Sequence, residues 1–362
     1  MSDPLSIAHT IPSTWYTDPR FFEIEKEKIF WQTWQPIGHA SKVAQPGCYL
    51  AAEIMGEPCA VVRGKDGMLR AFSNVCRHRA STILDGHGCV KSMRCPYHGW
   101  TYSLEGELLA APEFEGVENW NLSDVRLPEM RVEEWGPFVF VNLDTHAPPF
   151  REIIGDIPEQ VAEIGCSIDQ LHFSYRRDYL IRCNWKVYID NYLEGYHLPA
   201  AHPSLFRELD YKAYRVDTFR YYSSQHAPIR PPRPGSDQAR RYSSSDAGNR
   251  ALYYWIFPNF MLNVYPDNLS SNIIVPVSHD QTLTIFEWFT YRKKNEAAEI
   301  SPETVAFSDE IQQEDIRICE NVQKGLGSRT YDRGRYSVKR ENGVHHFHCL
   351  LEEFMNASSH SA

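Results

Sequence analysis

Cys76-Arg77-His78 and Cys95-Pro96-Tyr97-His98-Gly99-Trp100 are the two stretches that decide how this chain is read. Each supplies one cysteine and one histidine on a tight turn. Pro96 fixes φ and Gly99 permits positive φ, and both favour such a turn. Two thiolates and two imidazoles from two loops can converge on one metal site. Zinc accepts that donor set, but zinc fingers place the cysteines in one knuckle and the histidines in another. One cysteine and one histidine per loop suits a 2Fe–2S cluster, one iron taking both thiolates and the other both imidazoles. Neutral imidazoles in place of thiolates raise the reduction potential. Cys89 lies between the loops, outside the pattern, and reads as a buried thiol.

The surroundings of these loops have β texture. From about 38 to 144, short apolar runs such as Cys59-Ala60-Val61-Val62 and Phe138-Val139-Phe140-Val141 alternate with turn signals such as Gly64-Lys65-Asp66-Gly67. Upstream, residues 17–36 carry a helical pattern with Phe22, Ile24, Ile29, Phe30 and Trp34 as its apolar stripe, closed by Pro36. From 150 onward helices and strands mix. The longest helical pattern spans 303–326, introduced by Ser301-Pro302, a cap followed by a first-turn proline. Residues 226–248, rich in Pro, Ser and Arg, read as a surface loop or lid.

A second constellation lies in residues 184–202, which read as a helix broken near Pro199. Asp190, Glu194 and His197 follow i, i+4, i+7 and would share one face. On an unbroken helix His197 and His202 would point about 140° apart; a break lets both imidazoles converge. Two histidines call for an anionic third ligand, because a 2-His-1-carboxylate triad leaves positions open on ferrous iron. In the 303–326 helix, Ile311, Asp315, Ile318, Val322 and Leu326 form one stripe, so Asp315 is a carboxylate on an apolar face and needs a partner. Glu314, on the polar face with Glu310, Arg317 and Asn321, is the second choice.

Together these residues resemble the α subunits of Rieske ring-hydroxylating and related non-haem iron oxygenases. The resemblance covers the cluster loops, the N-W-K-x-x-x-D-N-Y-x-E-G-Y-H-x-P-x-x-H block at 184–202, and the late helix. It implies an α+β chain: an all-β Rieske domain over 41–144, and a helix-grip (START-like) catalytic domain built from 1–40 and 145–362. It also implies a Rieske 2Fe–2S cluster on Cys76, His78, Cys95 and His98, and a mononuclear Fe(II) on His197, His202 and Asp315, with O2 as co-substrate. Asp190 and Glu194 are the expected catalytic carboxylates. Glu194 matches the carboxylate that bridges one subunit's cluster histidine, here His98, to its neighbour's iron histidine, here His197. The family is usually a homotrimer, packed head to tail, fed by a separate NAD(P)H-dependent reductase. The chain carries no dinucleotide fingerprint of its own.

The pattern looks closest to choline- and carnitine-monooxygenase-like members, which oxidise quaternary ammonium compounds. Tyr253, Trp255, Phe257 and Phe260 could then form an aromatic cage for a methylated cation. An aromatic acid or arene is the alternative substrate. A Rieske electron carrier or a helix-grip lipid binder would lack one or both metal sites. His345, His346 and His348 read as a strand with alternating burial rather than a metal tract.

Composition sets limits. The 362 residues allow two domains, with 42% apolar, 23% charged and 13% aromatic residues. A net charge of -10 with only short basic runs argues against nucleic acid. No apolar stretch is long enough for a membrane span, and the N-terminus does not read as a secretory signal. Nine scattered cysteines fit free thiols and metal ligands in a reducing cytoplasm.

Overall fold

A computed structural model describes residues 3–230, 250–265, 268–291 and 299–357. The chain divides into two compact units, Phe30–Phe150 and Met1–Ile29 with Arg151–Ala362.

The Phe30–Phe150 unit is built of strands β1 (Gln35–His39), β2 (Cys48–Ile54), β3 (Glu57–Arg63), β4 (Leu69–Ser73), β5 (His87–Cys89), β6 (Met93–Arg94), β7 (Thr101–Tyr102), β8 (Leu108–Ala110), β9 (Glu129–Trp135) and β10 (Phe138–Asn142). They form a seven-stranded sheet, β1-β10-β9-β4-β3-β2-β5, and a three-stranded sheet, β6-β7-β8. The run Phe138-Val139-Phe140-Val141-Asn142 is buried throughout, as its composition requires. A second cluster, including Phe72, Trp100, Tyr102 and Leu108, backs the two Cys/His loops and takes in Cys76 and Cys95.

Three sequence expectations change here. Pro36 does not close a helix. It sits in β1, on the sheet edge, where a missing N–H costs no ladder bond. The pairing of β1 with β10 moves the start of this unit to Phe30, earlier than the residue 41 expected, and its end lies at Phe150 rather than 144. Cys89 is not a buried thiol. It is exposed, faces Cys48 across β2 and β5, and is joined to it as a disulfide; the other seven cysteines are free.

The second unit begins with α1 (Thr14–Thr17) and α2 (Pro19–Glu25), followed by a π-helical turn, Lys26–Phe30, that ends the helical stretch. Asp18 caps α2, accepting from the Arg20 N–H at 2.9 Å. Phe22, Ile29, Phe30 and Trp34 are buried as expected, but Ile24 is 40% exposed. After the short helices α3 (Phe150–Ile154) and α4 (Ile157–Glu163) come α5 (Trp185–Tyr192), α6 (Leu198–Ala201), α7 (Pro203–Glu208), α8 (Pro302–Leu326) and α9 (Asn342–Asn356). Strands β11 (Leu171–Ile181), β12 (Arg215–Thr218), β13 (Tyr222–Pro228), β14 (Arg250–Ile256), β15 (Phe260–Val264), β16 (Asn268–Ser278) and β17 (Gln281–Tyr291) make one antiparallel sheet, β11-β17-β16-β15-β14-β13-β12. Helix α5 packs between this sheet and α8 and α9, and Phe347 of α9 stacks edge-on against both Trp185 and Trp255. This is the helix-and-antiparallel-sheet arrangement expected for the catalytic part.

Two further readings are corrected. Residues 342–348 are helical, because the buried set Val344, Phe347, His348 and Leu351 has a period near 3.6, which three clustered histidines obscure. Residues 226–228 belong to β13 and Ile229 bridges Leu209, while residues 231–248 of the supposed lid lie outside the described residues.

Candidate metal centres

The two Cys/His loops repeat one backbone design. In the first, the Ala80 N–H donates to the Cys76 carbonyl at 3.1 Å and the Cys76 N–H to Ser81 at 2.9 Å. In the second, Gly99 donates to Cys95 at 3.1 Å and Cys95 to Trp100 at 2.8 Å. The fourth residue after each cysteine is left-handed, with φ of 57° at Ala80 and 73° at Gly99. The His78 and His98 rings lie 4.6 Å apart, and Trp100 stacks on His78 at 4.9 Å. Burial raises the Cys95 thiol, but hydrogen bonds from the Tyr97 N–H, the Cys76 side chain and the His98 N–H outweigh it and hold its pKa below the ordinary value. A thiolate is the form that ligates metal. His78 Nδ1 is buried without a hydrogen-bond partner, a cost that metal ligation removes. The four side chains therefore fit a 2Fe–2S cluster.

The second centre is assembled by α5, the turn after it, and α8. Asn184 caps α5, accepting from the Lys186 N–H at 3.0 Å. The helix ends at Tyr192, earlier than the Pro199 break read from the sequence, and Pro199 instead opens α6. Gly195 sits in the turn because a Cβ there would lie 2.8 Å from the Tyr214 ring. The turn swings His197 and His202 together, their rings 5.0 Å apart. One ligand atom from each of His197, His202 and Asp315 lies within 4.8 Å of the others. Two imidazoles and a carboxylate on a cavity wall are the donor set of a facial triad, so these residues fit ferrous iron.

Hydrogen bonds fix which nitrogen faces inward. His197 Nδ1 lies 2.5 Å from Glu194 Oε1. His202 Nδ1 lies 2.6 Å from Glu314 Oε2, leaving Nε2 toward Asp315 at 3.0 Å. Burial opposes protonation of His202, but the Asp315 and Glu314 carboxylates outweigh it and raise its pKa. Asn191 donates to Asp315 Oδ1 at 2.7 Å. Glu314 therefore orients a candidate ligand instead of belonging to a solvated face. The inward face of α8 also differs from the expected stripe: it carries Gln312, Asp315 and Cys319, while Val322 is 44% exposed.

Asp190 is not brought to this centre. The helix ends before Glu194, so the i, i+4 relation does not carry through. Asp190 instead accepts from Tyr16 at 2.7 Å and lies 2.9 Å from His348 Nε2. It does not line the cavity.

A cavity of about 180 Å³ opens beside His197, His202 and Asp315. Sheet register builds its floor: Gln225, Tyr253, Asn263, Ser270 and Trp288 are cross-strand partners in one row over β13 to β17. Tyr188, Tyr192, Tyr214 and Phe286 add rings. Burial raises the phenols of Tyr188, Tyr192, Tyr214 and Tyr253 above their ordinary range, so they stay neutral. Of the expected cage, only Tyr253 lines the cavity. Trp255 lies under Phe347, Phe257 packs against Phe354, and Phe260 is buried in β15. Period-2 alternation on β17, with Phe286 and Trp288 on one face, was the sequence signal available for the missed rings.

Comparison with known proteins agrees with this architecture. Residues 168–357 match the catalytic domain of the ring-hydroxylating alpha subunit family, and residues 33–121 match the Rieske [2Fe-2S] domain. The chain is 36% identical to a chloroplastic choline monooxygenase of Arabidopsis thaliana, over 96% of this chain and 83% of that protein. It is 33% identical to the carnitine monooxygenase oxygenase subunit of Escherichia coli K12, over 96% and 94%. A quaternary ammonium Rieske monooxygenase, whose structure bears on carnitine oxidation and inter-subunit electron transfer, superposes with a TM-score of 0.84 at 28% identity, covering 98% of this chain and all of that one.

Proposed function

We propose that this chain, which belongs to the ring-hydroxylating α-subunit family of Rieske non-haem iron oxygenases, oxygenates a small quaternary ammonium compound. The enzyme class brings a Rieske 2Fe–2S cluster and a mononuclear iron, with O2 as co-substrate. The observation that carries the substrate reading is the cavity wall: neutral phenol and indole rings beside the carboxylates of Glu194 and Asp315, with no lysine or arginine among the described lining residues. Ring faces and carboxylates both attract a methylated cation. The names of the choline and carnitine monooxygenase relatives point the same way.

Cys76, His78, Cys95 and His98 would hold the cluster; His197, His202 and Asp315 would hold the iron. The iron supplies oxygen activation when bound. The protein's part is to hold both imidazoles with Nε2 inward through Glu194 and Glu314, and to seat the substrate's methyl groups beside them. Glu194 Oε1 already engages His197, which suits a bridge toward a neighbouring subunit's cluster. A homotrimer with electron transfer between subunits and a separate NAD(P)H-dependent reductase complete the reading, supported by the inter-subunit transfer described for the relative. Among the described residues no helix is long and apolar enough to cross a membrane.

The test is product formation by the iron-loaded protein under O2, reduced by a surrogate reductase, with choline, glycine betaine, carnitine, benzoate-like acids and arenes in one panel read by mass spectrometry. Hydroxylated or demethylated ammonium products are expected. Ring hydroxylation without ammonium turnover would contradict the substrate reading and leave the enzyme class standing.

A further inference from the structure

The Cys48–Cys89 disulfide stands where the composition pointed to free thiols, and the oxygenation chemistry makes no use of it. Its place in the Phe30–Phe150 unit is specific. The bond spans a sequence separation of 41 and encloses Cys76 and His78, while Cys95 and His98 follow just after it. The segment that joins the two cluster loops is therefore tied covalently to β2.

Two anchors hold that segment. The first is Asn74, whose side chain accepts from the N–H groups of Ile83 at 3.3 Å and Leu84 at 2.9 Å and donates to the Leu84 carbonyl at 2.8 Å. Ile83 and Leu84 are buried in the same cluster as Cys76 and Cys95. The second anchor is β5, the outermost strand of its sheet, with His87 and Cys89 exposed. It pairs with β2 through Cys48 with Cys89, Tyr49 with Gly88 and Leu50 with His87. The Ala51 N–H donates to the Gly86 carbonyl at 2.7 Å, and the Val90 N–H to the Gly47 carbonyl at 2.9 Å. A short edge strand that buries no apolar side chain has little else to hold it. The covalent bond is its strongest tie.

The two sulfurs differ in access. Cys48 is 8% exposed, whereas Cys89 lies on the exposed face of the edge strand. An outside thiolate therefore reaches Cys89 Sγ first. Exposed disulfides are the ones that exchange, unlike the buried structural kind.

We propose that Cys48–Cys89 is a site of thiol–disulfide exchange with an external dithiol, and that opening it releases β5 and loosens the hold on the 2Fe–2S cluster. One thiolate of the dithiol attacks Cys89 Sγ, the S–S bond breaks, and Cys48 leaves as a thiolate that takes up a proton. The dithiol's second thiolate then attacks its own sulfur in the mixed disulfide and frees Cys89. Two electrons and two protons pass from the dithiol, which ends as a disulfide, to the two cysteines.

The experiment uses the intact, cluster-loaded protein, with dithiothreitol as the dithiol. Alkylation in denaturant followed by peptide mass spectrometry reads the thiols. Protein equilibrated with oxidised glutathione should yield Cys48 and Cys89 as a linked peptide pair, and dithiothreitol applied to the native protein should convert the pair to two alkylated thiols. After anaerobic removal of dithiothreitol, amide exchange over residues 85–90 should rise, and a chelator should strip acid-labile sulfide about fivefold faster or more. Re-forming the bond with oxidised glutathione should restore the slow loss. Cys48→Ser with Cys89→Ser should lose sulfide at the fast rate with or without dithiothreitol, which separates the bond from direct action of the reagent on the cluster. Where that variant does not fold, reversal in the wild type decides the matter. Free Cys48 and Cys89 after glutathione equilibration, a bond that opens only in denaturant, or sulfide loss and amide exchange unchanged by its opening would each overturn the proposal.

Discussion

Glu314 makes one bond whose loss has a readable result. Its carboxylate lies 2.6 Å from His202 Nδ1 and so sets the ring's tautomer and orientation. Partners of this kind typically govern metal affinity by about 10–100-fold. Glu314→Gln, which keeps an acceptor and removes the charge, should weaken iron retention at the mononuclear site by roughly that factor and leave the cluster spectrum unchanged. Iron content after graded chelator exposure reads the first, and the visible absorption of the cluster the second. At the other centre, Gly99 holds φ of 73°, and an added Cβ would meet the Arg94 guanidinium at 3.2 Å. Gly99→Ala should destabilise the loop by about 1 kcal/mol and lower cluster occupancy, whereas Ala80→Gly, at φ of 57°, should retain or raise it. Equal cluster content in both variants would sink the paired-loop account. At this scale the candidate cluster loops and the His197/His202 pair could be named from local spacing, and Asp315 from its place on the inner stripe of a helix; the structure brings His197, His202 and Asp315 together. Glu314 could not be named that way, because its neighbours in sequence place it on a polar face and only the fold brings His202 to it.

At the scale of elements, α5 separates two environments, and Asp190 lies away from the cavity, against Tyr16 and His348. One side of α5 turns Tyr188, Asn191 and Tyr192 to the cavity. The other carries Lys186 and Trp185, both bonded to the Glu25 carboxylate of α2, with Lys186 and Glu25 wholly buried. Lys186→Met alone leaves that carboxylate without its cation and should cost about 3–5 kcal/mol. Adding Glu25→Gln should recover most of the loss, since an amide still accepts from Trp185; urea unfolding followed by circular dichroism measures both. A double variant no more stable than the single one would show that the pair is not the source. Helix α9 gives a pH signature. Burial lowers the His346 imidazole from 6.5 to about 4. Between those values the unfolded chain binds a proton that the native chain refuses, so stability falls as pH drops from about 6.5 to about 4. His346→Gln should flatten that fall by on the order of 1–3 kcal/mol, with no change above neutral pH. The sequence hid α9 because three clustered histidines masked the period of Val344, Phe347, His348 and Leu351. The cavity floor was hidden for a different reason: its row takes one residue from each of five strands, and only register aligns them.

For the whole molecule, the two-part organisation was legible from texture, while its limits were not, since β1 joins the sheet through pairing with β10 some hundred residues away. The same reasoning separates the two metal centres: they lie in different compact units and draw on no common ligand. The direct measurement is therefore iron and acid-labile sulfide per chain, with cluster absorption and product assay, for the wild type and Asp315→Ala. Wild type should hold about three irons and two sulfides and oxygenate choline. Asp315→Ala should fall to about two irons, keep both sulfides and the cluster spectrum, and make no product. A variant that keeps the third iron, or turns over choline without it, would contradict the assignment of this centre as the site of oxygenation.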